Sequence, residues 1–281
     1  MDAIQSVQPL YSLSGFGVGL LVGLTGVGGG SLMTPILILL FGIHPASAVG
    51  TDLLYAAATK TAGSLVHGYN RTVDWRVVRR LASGSVPATA LTILALSFVN
   101  LNGALARDLI AGLLTIALFF TALTLVFRDR IVRLYGQRIG RMSERRVAGL
   151  TVAVGVVLGV LVSISSVGAG AIGVTALILL YPQLPIARIV GSDIAHAVPL
   201  TLVAGLGHWW LGSINLSLLI PLLLGSVPGI VLGSYVVTRV PETALRLLLA
   251  GTLAIVATKL AFDTYSSPSA VVTATTNRAP D

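Results

Sequence analysis

Two aspartates, one lysine and one histidine stand in apolar sequence, where ionisable side chains are costly and serve function more often than packing. Asp52 follows Gly50-Thr51, and Asp193 follows Gly191-Ser192, 141 positions later. Lys60 lies eight residues past Asp52, two helical turns deeper, and its counterpart in the second copy is Thr201. His196 follows Asp193 by three residues and stands where the first copy has Tyr55. An acid in low dielectric is most cheaply kept by taking up a proton, so Asp52 and Asp193 are candidates for proton exchange, with His196 as a relay partner. A cap role is the competing reading, in which Thr51 and Ser192 open helices and the acids occupy the first turn. The two readings are compatible. A lysine in mid-helix cannot easily snorkel to the interface, which favours Lys60 as the counter-charge of an anionic solute over a structural ion pair. One histidine and two acids, in no spacing of a metal motif, predict no metal site.

The Gly/Ser runs supply different chemistry. Gly26-Val27-Gly28-Gly29-Gly30-Ser31 leads to Pro35, and Ser163-Ile164-Ser165-Ser166-Val167-Gly168-Ala169-Gly170 holds the same place in the second half. A helix that restarts inside a membrane aims unpaired N–H groups and the positive end of its dipole into a cavity, which makes an anion site without a charged side chain. Gly28, Gly29, Gly30, Gly168 and Gly170 allow close backbone approach, and Ser31, Ser165, Ser166, Thr51 and Ser192 add hydroxyl donors. Small residues also let membrane helices pack tightly. Their position at the break of an overlong segment, in both halves, favours the site.

These residues need apolar helices to position them. Only 10% of the 281 residues are charged, 55% are hydrophobic and mean hydropathy is +0.93, a composition of integral membrane proteins. Apolar segments run at about 12–41, 47–69, 77–99 and 105–127, then 148–181, 189–211, 216–238 and 243–263. Six have the length of one membrane helix; the first of each half is overlong and broken at its Gly/Ser run. Gly84-Ser85-Val86-Pro87 returns as Gly225-Ser226-Val227-Pro228, His67 as His208, and Pro45 as Pro185. The fold expected is an all-α polytopic membrane protein of two homologous repeats. Each has a Gly-rich broken or re-entrant helix pair plus three transmembrane helices. The segments divide as an N-terminal tail 1–11, membrane repeat 12–127, basic cytoplasmic linker 128–146, membrane repeat 147–263 and flexible tail 264–281.

Charge sets the orientation. Seven arginines fall between Arg128 and Arg146, and Arg71, Arg76, Arg79 and Arg80 form a second cluster. If each broken segment returns to its own side, Arg188, Arg239 and Arg246 join those clusters and chiefly Arg107 is left opposite. That distribution obeys the positive-inside rule and favours inverted repeats over parallel ones. The formal charge of +8 therefore reads as orientation and not as nucleic-acid binding. Absence of cysteine excludes disulfides and thiolate chemistry. The acidic start Met1-Asp2 argues against a cleaved signal, and no Walker-type loop supports ATP-driven pumping. His67 and His208, beside Tyr69, Trp209 and Trp210, read as members of an interfacial belt, and His44 as a loop residue. No nucleophile–base–orienter set suggests an enzyme, and no cofactor is implied.

The Gly26-Val27-Gly28-Gly29-Gly30-Ser31 opening with Pro35, Gly50-Thr51, Val73-Asp74-Trp75 and Gly225-Ser226-Val227-Pro228-Gly229 resemble the TauE/SafE (toluene-sulfonate uptake permease) family of anion transporters over roughly 13–263. The resemblance implies a multi-pass carrier in the bacterial inner membrane for a small anionic solute such as sulfite, sulfoacetate or a related sulfonate. Export by alternating access is the expected mode. Proton-coupled uptake of organic anions, or a cation or metal carrier using Asp52, Asp193 and His196, is the alternative. Departure of the second Gly-rich element from the opening pattern leaves its share of the site open.

Overall fold

The computed structural model describes residues 9–25, 30–69, 71–101, 103–139, 142–236 and 242–266. Among them the chain is helical, without strands: α1 Pro9–Thr25, α2 Gly30–Leu39, α3 Pro45–Tyr69, α4 Trp75–Leu96, α5 Ala104–Ile139, α6 Glu144–Ser165, α7 Ala171–Leu180, α8 Ile186–Trp210, α9 Leu216–Val236 and α10 Glu242–Ser266. Segments 106–135, 144–165 and 186–210 are long and apolar enough to cross a membrane, and 9–22, 171–180 and 216–232 are shorter apolar helices. Apolar composition, with charge gathered mostly at the helix ends, drives burial of these stretches in lipid or against one another, and the connections carry the helix-ending chemistry. Gly42 and Gly212, at φ 64° and 70°, close α2 and α8 in the left-handed region that side chains avoid. Asp74 caps α4 by accepting from the N–H groups of Arg76 and Val77.

Both overlong segments turn back. The break after α6 lets α7 return until Tyr181 Oη lies 2.8 Å from Thr151 Oγ1, near the start of α6. Arg80, near the start of α4, donates to the same phenol oxygen at 3.2 Å. At the other end of the molecule the Tyr11 and Phe41 rings meet at 4.6 Å, joining the start of α1 to the end of α2.

Close backbone packing fixes the neighbours. A side chain at Gly84, Gly155 or Gly159 would strike the carbonyls of Val152, Leu81 and Ser85 respectively, so α4 and α6 lie parallel and in contact. Gly225, Gly15, Gly19 and Gly229 stand against the carbonyls of Ser12, Leu222, Ser226 and Phe16, and join α1 to α9 in the same way. α3 and α8 cross antiparallel, Gly205 on Leu54 and Gly63 on Ile194. α5 pairs with α10, where Arg246 grips Asp129 with two hydrogen bonds of 3.0 and 2.6 Å.

These contacts place the starts of α4, α6, α8 and α10 on one face. Arg76 and Arg80 both reach Glu144 at 2.9 Å there, and Arg188 lies 3.4 Å from Asp74. Arg80, ahead of the other arginine, holds the Glu144 carboxyl below the usual carboxylate range. The starts of α1, α3, α5 and α9 lie on the opposite face, where His44 is pushed below the usual histidine range by burial and then by Arg107. α5 runs on through Ile139, so most of the basic stretch expected as a linker is helix.

Candidate functional site

The antiparallel pair α3 and α8 carries all the ionisable groups singled out in apolar sequence. Asp52 and His196 are 0% exposed, Asp193 2% and Lys60 6%. α3 begins at Pro45 and α8 at Ile186, so the acids lie about two turns inside their helices and not in the first turn. The expected cap role for Thr51 and Ser192 is displaced accordingly. Thr51 Oγ1 instead accepts from Asn215 N at 3.1 Å, just before α9, and Ser192 Oγ accepts from Asp74 N at 2.8 Å, just before α4. Each hydroxyl thus secures the entry of a helix from the other half of the chain.

Around the crossing, Thr34 Oγ1 donates to Asp52 Oδ2 at 2.5 Å, while Asp52 Oδ1 is buried without a hydrogen-bond partner. Ser166 stands beside the same carboxyl, but its buried hydroxyl does not reach hydrogen-bond geometry. Lys60 Nζ donates to Ala169 O at 3.3 Å, inside the α6–α7 break. The Lys60 ammonium interacts electrostatically first with Asp193 and then with Asp52, without a direct ion pair to either. Asp193 makes no hydrogen bond among the described residues and lies against Gly173, in the first turn of α7. The site therefore joins two carboxyls, one ammonium and a half-helix start, shielded from water.

The break itself needs unusual backbone. Ser166, Gly168 and Gly170 have φ of 57°, 116° and 141°, and the last two are accessible essentially to glycine alone. Ser165 Oγ donates to Leu161 O at 2.7 Å and accepts from Val167 N at 3.2 Å, so this hydroxyl shapes the turn. Ser163 Oγ is turned to Gly159 O at 2.6 Å. In the first turn of α7, Gly173 N donates back to Gly168 O at 3.4 Å and Val174 N to Gly170 O at 2.8 Å. The N–H groups of Ala171 and Ile172 precede any intrahelical acceptor and point toward the break beside Lys60. Of the expected site residues in the first Gly-rich run, Gly28 and Gly29 lie outside the described residues. Gly30 opens α2 and Ser31 follows it in the helix; the Ser31 side chain is likewise outside the description.

His196 Nε2 is 2.8 Å from Ser85 Oγ, and the pseudo-equivalent Tyr55 faces Ser226. Sequence reasoning used Gly84-Ser85 and Gly225-Ser226 only as marks of duplication; repetition of the serine itself was the usable signal. Thr34 and Gly173 carried no comparable signal. His208 was expected at an interfacial belt, yet it is 1% exposed, with Nε2 2.9 Å from Ser163 O. Its ring is drawn inward because that carbonyl, its own hydrogen bond lost near the helix break, needs a partner. His67 is half-buried, with Nδ1 2.8 Å from Thr72 Oγ1. Among the described residues no cluster of three or more His, Asp or Glu could hold a metal. A separate cavity of about 400 Å³ opens on the arginine-rich face between Asp74, Arg76, Arg80, Glu144 and Tyr181, away from the buried crossing.

A profile described as Sulfite exporter TauE/SafE matches residues 11–260. The chain is 37% identical over 251 residues to "Probable membrane transporter protein YjnA" of Bacillus subtilis (strain 168), covering 88% of this chain and 97% of that protein. It is 24% identical over 233 residues to "Probable membrane transporter protein YdhB" of the same organism, covering 82% and 91%. No solved structure matches the chain significantly.

Proposed function

Because the chain belongs to the Sulfite exporter TauE/SafE family, and so is a multi-pass membrane transporter, we propose that it carries small sulfur oxyanions across the bacterial inner membrane. Sulfite, sulfoacetate and related sulfonates are the substrates expected. The observation that carries this reading is Lys60: a buried ammonium in mid-span, donating to Ala169 O in the broken turn that precedes α7. A cation and a half-helix start on one spot suit an oxyanion far better than a cation. Asp52 and Asp193 provide places for a proton, and Ser166, Gly168 and Gly170 provide the hydroxyl and backbone of the cradle.

We read the molecule as two inverted repeats, α1–α5 and α6–α10. Support comes from contacts that recur at the sequence offset of the duplication: Gly84 on Val152 beside Gly225 on Ser12, and Gly50 on Ser213 beside Gly191 on Thr72. Alternating access then moves paired elements around the α3–α8 crossing. For a monoanion carried alone, a potential of about 100 mV is worth roughly 2.3 kcal/mol and favours exit by about 50-fold, which makes export the expected direction. Uptake requires cotransported protons.

Thermal stabilisation of the purified protein by a panel of sulfite, sulfoacetate, sulfate, acetate and divalent metals tests the reading. A ligand at about 100 times its dissociation constant adds roughly 2.7 kcal/mol. Stabilisation by a sulfur oxyanion, much reduced in Lys60→Met, supports it; a response to metals alone moves the assignment to a cation pathway through Asp52, Asp193 and His196.

A further inference from the structure

The first turn of α7 is an anion-receptive position that the protein already fills in part. Asp193 is 2% exposed, its Oδ1 has no hydrogen-bond partner, and that oxygen lies so close to Gly173 that any side chain there would collide with it. Absence of a side chain at Gly173 is what admits the carboxyl to the flank of the half-helix start. Lys60, for which Asp193 is the foremost charged neighbour, is tied to Ala169 O two residues before α7 begins. Asp52, by contrast, is anchored by Thr34. The charged group facing Asp193 is Lys60 on α3; Asp52 and His196 each interact with that same ammonium, and His196 stands one turn on along α8. α6 and α7 present no ionisable side chain between Val147 and Leu180, and α4 carries its own only at its start, Asp74, Arg76, Arg79 and Arg80. With both carboxyls ionised the site holds two negative charges against one positive, and a solute anion would add a third.

Resting on the anion-transport reading above, we propose that Asp193 is a tethered competitor of the substrate. Its carboxylate occupies the position between Lys60 and the start of α7. A solute anion takes that position only after the carboxylate has bound a proton and become a neutral acid. Each anion therefore enters with one proton, and no bond other than the O–H of the acid is made. A monoanion then loads without change of net charge. A dianion such as sulfoacetate still moves one net negative charge, so the membrane potential continues to favour its exit.

Titration calorimetry of the purified full-length protein with methanesulfonate and sulfoacetate, whose charges are constant from about pH 6 to 8, tests this. In wild type, affinity should fall by up to about tenfold per pH unit toward alkaline pH, with proton uptake per anion rising toward one at the alkaline end, read from buffers of different ionisation enthalpy. Asp193→Asn should bind with little pH dependence, and Glu144→Gln, on the arginine-rich face away from the crossing, should keep the wild-type slope. Binding without proton uptake in wild type, or a slope retained in Asp193→Asn, overturns the competitor role and leaves the anion reading standing. Failure of wild type to bind either sulfonate or sulfite at any pH overturns both. The proton count is made on wild type, so it does not depend on either variant folding.

Discussion

At the residue scale, the site is defined by which polar atoms are buried and what satisfies them. A hydrogen bond to a charged group contributes about 1.5–3 kcal/mol, so Lys60→Met should weaken oxyanion binding by roughly 10- to 100-fold. The apolar replacement relieves a buried charge, and folded yield in detergent should be retained; binding within threefold of wild type would remove Lys60 from the site. Thr34 has a different task. Thr34→Val removes the hydroxyl donor to Asp52 Oδ2, and Oδ1 already has none. It should cost about 1–3 kcal/mol of stability, visible as a lower melting temperature. An unchanged melting temperature would show that the 2.5 Å contact does not persist in the purified protein.

At the element scale, glycine is selective in its effect. On α6, Gly155 meets the Leu81 carbonyl whereas Gly149 has open space around it. Gly155→Ala should therefore destabilise by about 1–3 kcal/mol through forced separation of α4 and α6. Gly149→Ala should be neutral or stabilise by up to about 1 kcal/mol through helix propensity. On α1, Gly19 against Ser226 and the unobstructed Gly17 form the matching pair. Thermal unfolding of the four variants in detergent checks both faces, and equal effects within either pair would deny the close crossing. These crossings join α1 to α9 and α4 to α6, so each tightly packed pair draws on both halves of the sequence.

At the scale of the molecule, the faces carry opposite chemistry. The chain has no cysteine, so single cysteines report accessibility without background. Tyr69, 90% exposed at the end of α3, and Phe98, 84% exposed after α4, lie on opposite faces. An impermeant thiol reagent on intact cells should label Phe98→Cys and spare Tyr69→Cys until the membrane is opened. The reverse pattern would invert the orientation. Surface ion pairs set no pH dependence near neutrality. Glu144 is held low first by Arg80, and Asp129 first by Arg246. A depressed carboxyl contributes stability above its unfolded value and loses it only as pH falls through its folded one. Melting temperature should therefore not respond to these two clasps from about pH 6 to 8, and Glu144→Gln should leave the pH profile of anion binding unchanged.

The sequence by itself determined the membrane class, the two broken apolar segments and the placing of Asp52, Lys60, Asp193 and His196 within apolar helices. Composition, hydrophobic run length and repeated Gly, Pro, Asp and His are local signals, and each reads along the chain without knowing its neighbours. Only the tertiary structure decided which hydroxyls face the ionisable groups. Thr51 and Ser192 went to the entries of α9 and α4, Ser165 to its own turn, and Thr34 to Asp52. It also decided that Lys60 meets a carbonyl 109 residues away and that Asp193 rests on Gly173. Those pairings depend on how α3 and α8 cross and where the hairpins return, and helix crossing is set by small-residue packing between distant segments, which no single stretch of sequence records.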